Sequence, residues 1–177
     1  MHLLEKFSYC PKCGSKHFNV STEKSKKCKN CGFEYYMNPS AATAAFIVNG
    51  RGELLVERRG KEPAKGTLDL PGGFSDPGET AEEGVMREVK EETGLEVTRA
   101  DYLFSLPNIY LYSGMNIHTL DFFFRCEVPS DAEPLAADDA AECFWMPLKD
   151  IPIEQFGLRS IRQALYLFLE SWQQQKL

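Results

Sequence analysis

Gly73-Phe-Ser-Asp-Pro-Gly-Glu79-Thr80-Ala-Glu-Glu83-Gly-Val-Met-Arg87-Glu88-Val-Lys-Glu91-Glu92-Thr93-Gly94-Leu95 is the stretch around which the chain is organised. A Gly/Pro/Asp-rich loop (Gly72 to Gly78) runs into a segment with helical character from Thr80 to Thr93. Thr80 followed by Glu83 has the spacing of a capping box, and Gly94 stands where a left-handed residue would close the helix. On that helix Glu88 and Glu92 are i,i+4 neighbours and Glu88 and Glu91 are i,i+3 neighbours, so one face carries three carboxylates.

Such crowding is costly unless something offsets it. At about 6 Å and an effective dielectric near 20, each pair of charges repels by roughly 3 kcal/mol, less where water screens it. Arg87 can offset only part of this. A hard divalent cation such as Mg2+ or Mn2+ would reverse the sign, because it prefers carboxylate oxygens together with substrate phosphates. A solvated acidic helix face is the bland alternative.

The full spacing decides between them. Gly73, five residues, Glu79, seven residues, Arg87-Glu88-Val89, one residue, Glu91-Glu92, one residue and Gly94-Leu95 resembles the Nudix box without a mismatch. The resemblance implies hydrolysis of compounds in which a nucleoside diphosphate is linked to another group, with catalytic Mg2+ or Mn2+ held by Glu88, Glu91 and Glu92. It further implies that the carbonyl of Gly72 ligates metal and that Arg87 holds Glu79 in place as a support pair. Glu88 or Glu91 would be the general base.

The first forty residues are of another kind. Cys10-Pro-Lys-Cys13-Gly14 and Cys28-Lys-Asn-Cys31-Gly32 are two Cys-x-x-Cys knuckles separated by fourteen residues, a zinc-ribbon pattern. Thiolates two residues apart in a tight turn converge on one tetrahedral Zn2+, and four protein ligands close the site, so its role is structural. A redox pair and four unrelated thiols are the other readings. A two-knuckle ribbon ahead of the box resembles the NADH pyrophosphatase branch of the Nudix family. Seven lysines against three acids give residues 1–40 a charge of +4, leaving −10 of the total −6 to the remainder. A body that acidic is a poor general nucleic-acid binder, although lysines on the ribbon are a second possible contact.

With 177 residues, 43% hydrophobic and 26% charged, the chain fits one full core plus a small appendage. No apolar run reaches transmembrane length, and Met1 to Tyr9 lacks a signal peptide's apolar stretch. The unpaired pattern of Cys126 and Cys143 suits a reducing compartment. The expectation is a cytoplasmic protein without a membrane partner.

Asn38-Pro39 marks the boundary between a ribbon at 1–38 and a Nudix hydrolase domain at 39–177. Ala41 to Val48 reads as a buried strand, Asn49 to Gly52 as a turn, and Glu53 to Arg59 as a second strand. Arg58 and Arg59 are candidates for phosphate contact; two exposed strand arginines are the alternative. Gly60 to Gly66 is a loop within reach of substrate. Val85, Met86 and Val89 should pack the helix on the sheet.

Leu95 to Leu106 reads as a strand with a polar middle. It leads into Ser105-Leu-Pro107-Asn108-Ile-Tyr110-Leu-Tyr112, where NADH pyrophosphatases carry Ser-Gln-Pro-Trp-Pro-Phe-Pro. Only Ser105 and Pro107 match, so the branch resemblance stops there. Tyr110 and Tyr112 are candidates for stacking on a base or nicotinamide, and equally for core or subunit contacts. Asn116 to Val128 is a further strand, and Pro129 to Asp139 an acidic loop.

Glu142 precedes Trp145 as in the family's late Glu-x-x-Trp element, which implies a metal ligand from across the site. Gly157 to Lys176 is an amphipathic helix with Ile161, Leu165, Phe168 and Trp172 on one stripe, a core helix or a homodimer contact.

The implied fold class is α/β: a Nudix-type α/β/α sandwich with a mixed sheet, preceded by a small zinc ribbon. Its partner would be a nucleotide-type small molecule such as NAD(H), ADP-ribose or a sugar nucleotide, with NAD-capped RNA also compatible. The competing reading is a non-catalytic regulator on the same fold, a class that usually loses box carboxylates. Here all of them are present.

Overall fold

In the computed structural model, residues 2–130, 132–137 and 140–174 are described. The chain forms two compact units, Met1–Pro39 and Ser40–Leu177.

The first unit is a three-stranded antiparallel sheet, β1 (Phe18–Thr22), β2 (Ser25–Cys28) and β3 (Glu34–Tyr36). Each Cys-x-x-Cys knuckle folds the same way. The amide of Gly14 donates to the Cys10 carbonyl, and that of Gly32 to the Cys28 carbonyl. Both glycines have φ near +70°, at +71° and +73°, a conformation that a side chain would strain. The apolar content is slight: Leu4, Cys10, Phe18 and Cys28 are buried, with Phe7, Phe33 and Tyr35 partly covered beside the last three. Among the seven lysines Lys26 is buried, donates to the Phe7 carbonyl at 2.6 Å and lies over the Phe18 ring.

The second unit begins with β4 (Ser40–Ile47), turns at Asn49–Gly52, and returns as β5 (Glu53–Arg59). A short β6 (Leu68–Asp69) leads through the glycine loop into α1 (Ala81–Thr93). Thr80 caps this helix, its hydroxyl accepting from the Glu83 amide while the Glu83 carboxylate accepts from the Thr80 amide, and Gly94 closes it in the left-handed conformation. Two long strands follow, β7 (Arg99–Tyr112) and β8 (Met115–Glu127), then β9 (Ala140–Pro147), two short 3-10 turns, and α2 (Arg159–Gln174).

One sheet is mixed, as the sequence implied: β4 runs parallel to β8, and β8 antiparallel to β7. A second sheet, β6-β5-β9, is antiparallel. Alternation along β4 and β5 divides the core in two. Ala44, Phe46, Leu54 and Val56 pack with α2 through Ile161, Leu165 and Phe168, with Trp172 against the edge. Ala45, Ile47 and Leu55 pack with α1 through Val85 and Val89. Helices thus cover opposite faces, giving the expected α/β/α layering.

Several local expectations need correction. Met86 is exposed, because the inward face of α1 is taken by Gly84, Val85, Val89, Glu92 and Thr93. The strand read from Leu95 starts at Arg99, since Leu95 and Val97 are buried as irregular backbone. It then continues without a break through the segment compared with the prolyl motif, because β7 pairs with β8 from Arg99 to Tyr112 across a Ser113-Gly114 turn. Lys176, at the end of the expected last helix, and Asp131, Asp138 and Asp139 of the acidic loop lie outside the described residues. Among the described residues no helix is long and apolar enough to cross a membrane.

Candidate active site and metal centres

A cleft of about 350 Å3 opens between the glycine loop, the C-terminal half of α1 and the strands β4, β5, β7 and β8. Pairing of Thr43 and Ala45 amides with the Gly73 and Pro71 carbonyls fixes the loop against β4. Gly72 approaches so closely that an added Cβ would collide with the Thr43 backbone, and one on Gly73 would lie 2.6 Å from the Glu88 carboxylate. Only glycine lets the loop lie flat against these carboxylates.

Glu88, Glu91 and Glu92 all line this cleft. Glu92 is buried and accepts the Gly72 amide at 2.8 Å. Glu88 has a side chain 15% exposed and Glu91 one 48% exposed. Burial raises the Glu88 carboxyl above its usual range, against the pull of the Arg87 guanidinium.

Arg87 gathers the group. It donates to both oxygens of Glu79 at 2.7 and 3.1 Å, to Glu88 at 2.9 Å, to Glu91 at 3.0 Å and to the Phe74 carbonyl. The inferred Glu79–Arg87 support pair is therefore present as a two-oxygen fork. Hydrogen bonds from Arg87, and next the Asp76 amide, bring the Glu79 carboxyl down to about 2. A depressed pKa adds stability above the unfolded value near 4.5 and loses it as pH falls through the folded value. Glu79→Gln should therefore melt below the parent at pH 6, with the gap closing as both are acidified toward pH 2. A gap independent of pH would show that charge pairing is not its source.

The two strand arginines separate. Arg59 is mostly buried in the cleft wall, bonded to Asp69 and to the Tyr110 hydroxyl at 3.2 Å. Arg58 points to the opposite face of β5, bonded to the Gly66 carbonyl and to Glu142. The exposed-pair reading fails for Arg59 because adjacent strand residues alternate faces. Within the loop after β5, Lys61 reaches the cleft lining. Tyr110 lies in the cleft, edge-on to Phe74 with centroids 5.6 Å apart. Tyr112 does not: it is exposed at the hairpin tip.

Glu142 is likewise outside the cleft lining. Its β5 neighbour across the ladder is Arg58, to which it is bonded at 2.9 Å, and its side chain is 59% exposed. The next residue, Cys143, stands opposite Glu57 and points its thiol at the Glu92 carbonyl, 3.7 Å away. Alternation thus turns Glu142 away from the face on which Glu92 lies.

Sequence reading passed over several cleft residues. Glu57 is buried in the lining on the same face of β5 as Leu55 and Arg59. A charged residue two positions beyond a core leucine was the available signal. Burial first, then the charges of Glu92 and Asp69, pushes its carboxyl far above the usual range. Asn108 lies in the wall, and Asp121, held by Thr119 and Ser160 hydroxyls, in the floor. Their partners come from β7, β8 and α2, a convergence that no local motif encodes.

In the first unit the four knuckle cysteines converge. Their sulfurs all lie within 4.8 Å of one another, with Cys10–Cys31 and Cys13–Cys28 at 3.7 Å. Four thiolates around tetrahedral Zn2+ at about 2.3 Å would be separated by about 3.8 Å, so this donor set fits the ion. The backbone amides of Cys31 and then Asn30 outweigh burial at Cys28 and lower its thiol to about 6.

The chain matches the NUDIX domain over residues 37–167. A NAD-capped RNA hydrolase NudC from Deinococcus radiodurans is 30% identical over 147 residues, 81% of this chain and 50% of that protein. An ADP-ribose pyrophosphatase from Methanocaldococcus jannaschii is 35% identical over 122 residues, covering 68% and 69% of the two chains. Among solved structures, a NUDIX hydrolase from Nitrosomonas europaea superposes with a TM-score of 0.72 at 22% identity, over 92% of this chain and 90% of that one. The chain spans about half the length of the NudC relatives it matches.

Proposed function

This chain belongs to the NUDIX family, and on that premise we propose that it hydrolyses the diphosphate linkage of a nucleoside diphosphate joined to another group. ADP-ribose and NAD(H) are the substrates of first choice, with NAD-capped RNA ends alongside them. The observation that carries the reading is the convergence of Glu88, Glu91 and Glu92 on one cleft against a glycine loop that no side chain obstructs.

A Mg2+ or Mn2+ ion held by Glu91, Glu92 and the Gly72 carbonyl would neutralise diphosphate charge and acidify an attacking water. The donors fit, being all hard oxygens. Glu88 is the proton acceptor. One of its oxygens is engaged by Arg87 at 2.9 Å, and its raised carboxyl pKa makes it a better base than an ordinary glutamate. Arg87 keeps the carboxylates from splaying apart, and Glu79 in turn holds Arg87.

The nucleoside end is taken by the Phe74–Tyr110 pair, whose exposed Phe74 ring offers an apolar face to a base. Asn108 offers amide donors and acceptors to the base edge. Arg59 fixes Tyr110 for this purpose. In the first unit, Cys10, Cys13, Cys28 and Cys31 hold structural Zn2+.

The test is a panel of ADP-ribose, NADH, NAD+, nucleotide sugars and NAD-capped RNA, with and without Mg2+. The expected result is Mg2+-dependent release of a nucleoside monophosphate, or of a monophosphate-ended RNA. Binding of a panel member without hydrolysis of any would replace the enzyme with a nucleotide-sensing regulator.

A further inference from the structure

We propose that Glu57 is a ligand of the divalent cation, joining Glu91, Glu92 and the Gly72 carbonyl as the strand-borne carboxylate that the sequence assigned to Glu142. This rests on the reading that a cation binds among the carboxylates of the cleft, and adds to it a residue from outside the box.

Glu57 is 3% exposed, yet it lines the cleft, and its Oε2 has no hydrogen-bond partner. A carboxylate withdrawn from water and left unpaired is strongly disfavoured, so its retention calls for a compensating charge. Arg59 acts on Glu57 through space, but its donors are committed to Asp69, the Tyr110 hydroxyl and the Pro63 carbonyl. The remaining neighbours worsen the problem: Glu92 and Asp69 both set negative charge beside Glu57.

The geometry places these acids where one ion can meet them. Strand β5 sends Leu55, Glu57 and Arg59 to the face covered by α1 and the cleft. Opposite Glu57 on β9 stands Cys143, whose thiol touches the backbone of Glu92. Glu92 Oε2 accepts the Gly72 amide, so the two carboxylates and the glycine loop border the same cleft. With Glu91, three carboxylates and a carbonyl are a donor set suited to Mg2+ or Mn2+, with diphosphate oxygens and water filling the remainder.

The experiment is titration of the full chain with Mn2+, following free ion by electron paramagnetic resonance, for the parent, Glu57→Gln, Glu57→Asp, Glu92→Gln and Glu142→Gln. Melting in EDTA checks that each folds; Glu57→Asp decides the matter should the glutamine variant not fold. Expected are at least about tenfold weaker Mn2+ binding in both Glu57 variants and in Glu92→Gln, and parental affinity in Glu142→Gln. A folded Glu57 variant binding Mn2+ as tightly as the parent would overturn the inference. Loss in Glu92→Gln alongside it would leave the box reading standing. No Mn2+ binding by the parent, even with ADP-ribose present, would instead remove the reading on which the inference rests.

Discussion

Glu92→Gln is expected to lower kcat by about a thousandfold or more, the several kcal/mol that a cation contributes to transition-state charge stabilisation. The substitution is nearly isosteric, so what it removes is charge. Glu92 is buried, accepts the Gly72 amide at 2.8 Å and sets its charge beside Glu57. A glutamine amide can retain the Gly72 contact through its oxygen, and its nitrogen is a donor that the carboxylate lacks. The fold should therefore hold, and melting in EDTA should be unchanged or higher, because one of two adjacent buried acids is gone. A stability-driven loss of activity would have the opposite signature, with a lower melting temperature. A Glu92→Gln enzyme retaining near-parental kcat would rule out this carboxylate as a metal ligand.

The elements around Glu92 show how far sequence alone reaches. The capping box at Thr80 and Glu83, the closing Gly94, and the spacing that brings Arg87 to Glu79 are local relations, fixed by the pitch of a helix and the length of a loop. They are legible because sequence separation and spatial separation coincide there. The same holds for the two cysteine knuckles, each a five-residue turn ending in glycine. Glu142 is the contrary case. Its position before Trp145 is local, but the face it presents depends on its register with β5, and that ladder sets it against Arg58 rather than Glu57. A shift of one residue in such a ladder exchanges the faces completely. Asp121 meets Ser160 of the final helix, and Asn108 reaches the same cleft by pairing with Thr119 across two long strands. Tyr110 and Tyr112 share a parity that sequence cannot distinguish, yet one reaches the cleft and the other the hairpin tip.

Removal of zinc is expected to unfold residues 1–39 while leaving the transition of residues 40–177 in place. The first unit has too little apolar material to stand alone. Its buried apolar residues are Leu4, Cys10, Phe18 and Cys28, two of which are themselves knuckle cysteines. Below about 40 residues a core rarely suffices without a metal or disulfide, whereas structural Zn2+ supplies an apparent ~10–16 kcal/mol. All six cysteines are free thiols, so no disulfide substitutes for the ion. Cys28→Ser should have a similar effect, because it removes a ligand whose thiol is already lowered to about 6 and whose side chain is part of the core. The measurements are zinc content by atomic absorption, expected at one per chain, and amide dispersion of residues 1–39 by NMR before and after chelation. Retention of dispersed signals in metal-free protein would mean that the three strands and their few aromatic contacts hold the unit without an ion. The cleft carboxylates, all carried by the second unit, provide the internal control: Mg2+-dependent turnover of a small dinucleotide should survive zinc loss if the ribbon is structural only.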